Sequence, residues 1–355
     1  MNFQNDKYTL RFAVDSDNDG IREIFESGCF DGRLSVQFLR GQRPLESFRL
    51  DGDDARILVI TDNEKNRLAA VGGAVLRREY VGGTPEMCAY LTGLKIHPDY
   101  RHKIIFIAKA YQFFYQQVPD CRLYYTTILD ENRAAISLLE KGHRNMPHYH
   151  YLGHYTTYCF HGGKRRIAVE KGNTDGFDGL LRSYFSTRDL TPADPGCAGF
   201  GENTFYCVRE NGKIRACCFV GNQQGHKQYK MSSYGGILKF VSHLPTDWFG
   251  YPKFPGSGEM INFGVVSYLY VENEDEKLCS DFLRSVAAEA EFSLLIWGAF
   301  EGHPLCPALD RMKTVRYGSR LYSVEWEGER GAGEEFAGVF TGVFTEVFGV
   351  EAALL

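Results

Sequence analysis

Apolar and polar residues alternate over residues 8–14 (YTLRFAV), the period of a half-buried strand. The polar run DSDND follows and supplies N-cap candidates for a helix over 18–28, with Ile21, Ile24, Phe25 and Gly28 on one face. The pattern predicts a second short helix at 33–40. A hairpin over 56–61 and 68–79 turns through the polar residues between Asp62 and Arg67. Next come a strand at 86–96, a helix at 103–117 stopped by Pro119, a strand at 121–129, a helix at 131–141 closed by Gly142, and an aromatic strand at 148–160. The order then restarts after Gly162-Gly163-Lys164. It predicts a strand at 165–169, a helix at 174–185 and a hairpin over 204–220 about Asn211-Gly212. A loop-rich stretch covers 221–259. A strand at 261–271, a helix at 275–290, a strand at 292–298, a short helix at 305–312 and a strand at 320–326 complete the series.

Both series read strand, helix, hairpin, strand, helix, strand, helix, strand. The expectation is an α/β protein of two tandem domains, each a mixed, mostly antiparallel sheet flanked by helices. The bounds are 1–163 and 164–328, with an apolar and acidic tail at 329–355. In the tail, Phe336, Phe340, Phe344 and Phe348 recur every four residues, one stripe if the segment is helical. Its glycines and β-branched residues leave a strand open. Such a stripe is expected to dock on the body as a lid or on a second copy in a homodimer.

Charge changes the picture mainly by exclusion. Residues 1–163 carry 20 basic and 20 acidic side chains, 164–326 carry 19 and 19, and 327–355 carry one Arg and six Glu. Neither body half has the basic excess that a phosphate backbone requires, so no nucleic-acid partner is expected. No apolar run approaches ~18 residues and the N-terminus has no apolar signal core, so the expected location is the cytoplasm, with no membrane partner. The ten cysteines form no C-x-x-C pair and read as reduced thiols. In the adjacent pair Cys217-Cys218, alternation along a strand predicts that at most one points into a core.

The candidate chemistry gathers at 90–109, YLTGLKIHPDYRHKIIFIAK. His97-Pro98 breaks the strand, and a polar turn through Asp99, Tyr100, Arg101, His102 and Lys103 feeds directly into an amphipathic helix. A helix N-terminus offers unpaired N–H groups and the positive end of its dipole, and Arg101 and Lys103 add charge, which together suit a pyrophosphate. No G-x-G-x-x-G opens a helix, and no P-loop or G-x-S-x-G elbow is present, so dinucleotide, P-loop and serine-hydrolase readings fall away. Glu86 and Tyr90 on the strand before the turn are either a general base or acid, or a strand-end carboxylate and a core tyrosine. His148, His150 and His154 share a face by strand parity, with His143 nearby; a polar face or acceptor-pocket wall explains them better than a metal, and no metal site is expected. The loop at 242–258 carries Trp248, Phe249, Tyr251 and Phe254, and reads equally as a pocket wall or as an ordered surface loop.

This strand, the segment Ile96-His97-Pro98-Asp99-Tyr100-Arg101 and the helix after it resemble the GNAT superfamily of acyl-CoA-dependent acyltransferases. The run from Asn132 to His143 (NRAAISLLEKGH) is similar to the family's N-x-x-A-x-x-L-Y-x-K-x-G-F segment, with one residue fewer before Gly142. The resemblance covers most of 8–160; the second half matches in element order alone and implies a degenerate domain. It implies an N-acyltransferase that takes acetyl-CoA or another acyl-CoA as co-substrate and a small amine or amino-acid-like acceptor. The alternative is a non-catalytic ligand-binding or assembly module on the same scaffold. It places the pantetheine arm along Leu94, Lys95 and Ile96, the pyrophosphate against Arg101, His102, Lys103, Ile104, Ile105 and Phe106, and Asn132 beside the departing sulfur. Glu86, Tyr90 and His143 are the candidate proton-transfer groups. The chain departs from the family at Ile104 and Phe106, which stand where glycines are usual, at Leu139 in place of the general-acid Tyr, and at His143 in place of Phe.

Overall fold

The computed structural model describes residues 3–4, 7–28, 34–101, 105–117, 121–142, 146–161, 163–235, 251–252, 255–326 and 348–355. In chain order the elements are β1 (Phe3–Gln4), β2 (Tyr8–Phe12), α1 (Asn18–Glu26), β3 (Leu34–Leu39), α2 (Pro44–Leu50), β4 (Asp54–Asp62), β5 (Arg67–Val81) and β6 (Thr84–Ile96). Then follow α3 (Ile105–Gln117), β7 (Leu123–Leu129), α4 (Arg133–Glu140), β8 (His148–Phe160), β9 (Glu170–Lys171), α5 (Phe177–Ser183), β10 (Glu202–Glu210) and β11 (Lys213–Asn222). The rest are β12 (Gln228–Tyr234), β13 (Phe263–Val271), α6 (Glu276–Glu289), β14 (Leu294–Phe300), α7 (Cys306–Asp310) and β15 (Val315–Glu325).

Local chemistry fixes several boundaries. Asp62 closes the β4–β5 turn: its Oδ1 accepts from Glu64 N at 3.1 Å and Lys65 N at 3.2 Å, and its Oδ2 from the Tyr100 hydroxyl at 2.9 Å. Asn211 and Gly212 take φ of 50° and 77° between β10 and β11, the left-handed pair that a two-residue hairpin requires. Asp275 caps α6 by accepting from Lys277 N and Leu278 N, each at 2.9 Å.

Thirteen strands form one sheet in the order β1-β2-β4-β5-β6-β7-β15-β8-β14-β13-β11-β10-β9. Two pairs in it are parallel, β6 with β7 and β13 with β14; every other neighbour pair is antiparallel. With the two-residue β1 set aside, the order reads alike from both ends toward the centre, the fourth neighbour pair being parallel in each case. There, β15 from the C-terminal series inserts between β7 and β8, and β8 pairs with β14. A division of the chain at 163 does not divide this sheet.

One face of the sheet packs α3, α4 and α6, through clusters that join Phe113 and Phe114 to Leu91, Ile107 to Ile136, and Phe282 to Tyr158. The other packs α1, α2, α5 and the segment 348–355, through clusters holding Ile24 with Phe48, Phe177 with Leu354, and Tyr125 with Val350. Cys217 and Cys218 correct the sequence expectation. They belong to the cores on opposite faces and both are fully buried, because this sheet is covered on both sides. The nine described cysteines are all free.

Four segments differ from the expected elements. Residues 33–40 hold strand β3, which pairs with β12 across almost 200 positions of chain, rather than a helix. The helix of that region is α2, started by Pro44 in its first turn. The stretch expected as loop contains β12, and the strand expected at 165–169 is replaced by the two-residue β9. Of the tail, 348–355 is described: Phe348 forms a bridge to Asp189 and its ring packs, tilted, 4.7 Å from that of Phe300. The expected helical stripe lies outside the described residues. No described helix is long and apolar enough to cross a membrane.

Candidate active site

The two parallel pairs are short. β6 and β7 share the pairs Cys88↔Leu123, Ala89↔Tyr124 and Tyr90↔Tyr125, and β13 and β14 share Phe263↔Leu294, Gly264↔Leu295 and Val265↔Ile296. Beyond these pairs the two strands of each pair part from each other, while each stays paired to its other neighbour. At the first parting, Thr126 Oγ1 donates to the Leu91 carbonyl at 2.8 Å, and the Tyr90 hydroxyl shares a 2.8 Å hydrogen bond with Thr127 Oγ1. Both openings carry a bulge three residues past the last pair. Gly93 and Leu94 oppose Gly72, with Gly93 at φ 71°; Tyr268 and Leu269 oppose Cys218, with Tyr268 at φ 50°.

The openings differ in what fills them. At the first, Gly93, Lys95, Ile96, Thr127 and Leu129 are partly exposed and Leu94 is 45% exposed. At the second, β14 is wholly buried, and of β13 only Tyr270 escapes full burial. The protein's own segment 348–355 covers it. The Tyr268 N–H donates to Glu351 Oε1 at 2.8 Å, and the Tyr155 hydroxyl donates to the Val350 carbonyl at 3.0 Å. Gly298 on β14 makes room for that tyrosine: a Cβ there would stand 2.1 Å from the Tyr155 oxygen. Tyr268 is held in its unfavourable backbone conformation by rings of Phe177, Phe185, Phe200 and Phe219 and by its hydroxyl on Pro192 O at 2.8 Å. Burial raises the Glu351 carboxyl to about 8 although the Tyr268 N–H favours its charged form.

Beneath the first opening, on the α1/α2 face, lies a buried ionic network. Arg77 donates to Glu79 at 2.7 Å, to the Tyr125 hydroxyl at 2.7 Å and to the Leu354 carbonyl at 2.9 Å, and Tyr125 donates to Glu79 at 2.6 Å. Asp51 pairs with Arg40 at 2.8 Å and Lys227 at 2.9 Å, and Lys227 also donates to Ala353 O at 2.8 Å. Burial lowers Lys227 to about 8 against the pull of Asp51. Ions buried this completely add little net stability even when paired, yet removing one partner is costly. The network ties β3, α2, β5, β7 and β12 to segment 348–355 in one register.

The structure places the expected site residues in several different surroundings. Leu94, Lys95 and Ile96 do lie along the opening; Lys95 Nζ is turned to the Phe25 carbonyl at 2.6 Å. Arg101 is exposed beside Gly28 after the short 3-10 turn Pro98–Tyr100. Tyr90 stands at the parting, with burial raising its hydroxyl, and Glu86 is a partly buried residue near the start of β6. Asn132 caps α4, its Oδ1 accepting from Ala135 N at 3.2 Å. Leu139 is buried in the core between α4 and β7. His102, Lys103, Ile104 and His143 lie outside the described residues, as do Trp248, Phe249 and Phe254 and the side chains of Ile105 and Phe106.

The histidine face is corrected. A bulge at Leu152-Gly153 interrupts the β8–β15 register, so His154 pairs with Arg320 on the α3/α4 face while His148 and His150 pair with Glu325 and Ser323 on the other. His154 meets Asp130 at 2.7 Å in a groove of about 870 Å³ beside α4, where Arg320 binds Glu140 at 2.9 Å. No group of three metal-ligating side chains exists among the described residues. The sequence reading missed Gly93, Thr126, Thr127 and the Arg77–Glu79–Tyr125 network. The signal for the first was an isolated glycine in a strand pattern, which commonly marks a bulge.

A sheet opened by a parted parallel pair beside a bulge, with a turn and helix beyond, defines the GNAT fold, and this chain has it. No family model matches the chain, and no curated protein is similar to it in sequence. Among solved structures, Saccharomyces cerevisiae N-myristoyltransferase with bound myristoyl-CoA matches with a TM-score of 0.58 at 10% identity, over 92% of this chain and 80% of that one. A second structure of that enzyme matches at 0.54 and 10% identity, over 90% and 83%. A GCN5-related N-acetyltransferase from Anabaena variabilis ATCC 29413 matches at 0.48 and 11%, over 89% and 72%. Identities this low speak to the fold.

Proposed function

We propose that the protein is an acyl-CoA-dependent N-acyltransferase whose co-substrate lies in the β6/β7 opening. The observation that carries this reading is the contrast between the two openings: one is filled by the protein's own chain, and the other presents parted backbone to solvent. Backbone N–H and C=O groups in a parted sheet need partners. An extended amide-bearing chain such as a pantetheine arm supplies them as an added strand would. Leu94, Lys95 and Ile96 would line that arm, and Arg101 at the turn before α3 would face the pyrophosphate. The acyl-CoA supplies an activated thioester; the chain's contribution is to bind it, orient it and hold donors at the bulge toward the carbonyl. Tyr90, with its hydroxyl on Thr127 at the parting, is the proton-transfer group best placed among the described candidates. The acceptor is a small amine or amino-acid-like molecule in this reading, and the protein works in the cytoplasm.

Isothermal titration with CoA and acetyl-CoA tests the reading. Wild type should bind both, and Arg101→Ala should weaken binding by about tenfold through loss of one charge-assisted phosphate contact. Failure of the folded protein to bind at millimolar ligand would refute the enzyme reading, and unchanged affinity in the variant would refute the pyrophosphate placement.

A further inference from the structure

We infer that Phe48, backed by Phe25, closes the α1/α2 side of the β6/β7 opening and restricts the acyl group to a few carbons. The inference rests on the acyl-CoA reading of that opening. A Cβ built on Gly93 would stand 2.7 Å from Phe48 Cζ, 3.1 Å from its Cε1 and 3.7 Å from Phe25 Cζ. The bulge therefore sits directly on the Phe48 ring, which is fully buried. The ring is clamped from elsewhere too. The Arg40 guanidinium lies 3.7 Å from its centroid, and Arg40 is itself fixed by Asp51 at 2.8 Å and Ser47 at 3.2 Å. Phe25 packs 6.1 Å from Phe48, Phe38 packs 6.4 Å from Phe25, and Tyr229 packs 5.3 Å from Phe38, so aromatic rings continue the floor into β12.

An acyl chain extending from a thioester held at the bulge into the α1/α2 layer would have to displace this ring. Movement of Phe48 would in turn disturb the Arg40–Asp51–Lys227 cluster. A two-carbon acyl group ends above the ring; a chain of eight carbons does not. Phe48 is thus a specificity-determining residue, and the sequence contains the complementary requirement, a glycine at 93 where any side chain would strike the same ring.

The test is the ratio of affinities for octanoyl-CoA and acetyl-CoA, measured by titration of the full chain, in wild type, Phe48→Leu and Phe48→Ala. Wild type should favour acetyl-CoA, and both variants should shift the ratio toward octanoyl-CoA by about tenfold or more, the scale on which apolar pockets discriminate chain length. The leucine variant preserves an apolar filling should the alanine variant fail to fold. Equal wild-type affinity for the two ligands, or an unshifted ratio in the leucine variant, would overturn the inference while leaving acyl-CoA binding intact. Binding of neither ligand by wild type would remove the acyl-CoA reading itself.

Discussion

Glu351→Gln isolates the group that seals the second opening. Glu351 is buried, accepts the Tyr268 N–H at 2.8 Å and is raised by burial from 4.5 to about 8. The folded state therefore holds a proton that the unfolded chain releases near 4.5, so stability from this group is complete below that pH and is lost as pH rises toward 8. Two other buried groups act in other windows. His303, lowered by burial to about 3, affects stability between its folded value and 6.5, and Lys227, lowered by burial to about 8, affects it between that value and 10.5. Glu79, which burial also raises, is the same in both proteins, so the difference between wild type and Glu351→Gln carries the Glu351 contribution from pH 6.5 to 8. At 2.303RT per unit, that contribution should fall by roughly 2 kcal/mol there. With an unfolding entropy of ~2.1 cal/mol/K per residue over 355 residues, that is a fall of about 3 °C in Tm. Glutamine keeps an acceptor for Tyr268 without a titrating proton, so the variant should show a fall smaller by that amount. The assay is calorimetry of both proteins at pH 6.5 and 8.0. Equal pH slopes would refute a neutral, buried Glu351 and with it the description of segment 348–355 as a tightly seated cover.

Two further substitutions probe the same architecture. Arg77→Met leaves Glu79 and the Leu354 carbonyl buried without their cation, and should cost about 3–5 kcal/mol in urea unfolding; a loss under 1 kcal/mol would show the network to be incidental. Gly93→Ala places a methyl 2.7 Å from Phe48 at φ 71°, and should cost about 1–3 kcal/mol and weaken acetyl-CoA binding; unchanged stability and affinity would remove the bulge from the site.

What the sequence made legible was local. The aromatic strand at 148–160, the helix at 276–289 and the Asn211-Gly212 hairpin carry their own periodicity or turn chemistry. Tyr124 and Tyr125 alternate faces as a strand demands, one toward Trp326 and the other into the Arg77 network. What escaped was set by distant partners. Residues 34–39 satisfy helical and strand spacing alike, and β12 decides between them. The insertion of β15 between β7 and β8 rests on pairings with strands far away in the chain. The bulge at Leu152-Gly153, which moves His154 to the other face, lies in the β8–β15 ladder just before β8 takes up β14 at Tyr155. Of the site, the strand and turn at 94–101 were readable. The sealing of the second opening was not, because it depends on a segment whose Glu351 lies 83 positions downstream of Tyr268.

Amide hydrogen exchange with and without saturating CoA separates an open β6/β7 parting from a sealed β13/β14 one. CoA should slow exchange over β6 residues 91–96 and the turn through Arg101, with β13 residues 266–271 unchanged because Glu351 and its segment already cover them. Slowed exchange at β13 with none at β6, or no change at either strand, would contradict a co-substrate site in the β6/β7 opening.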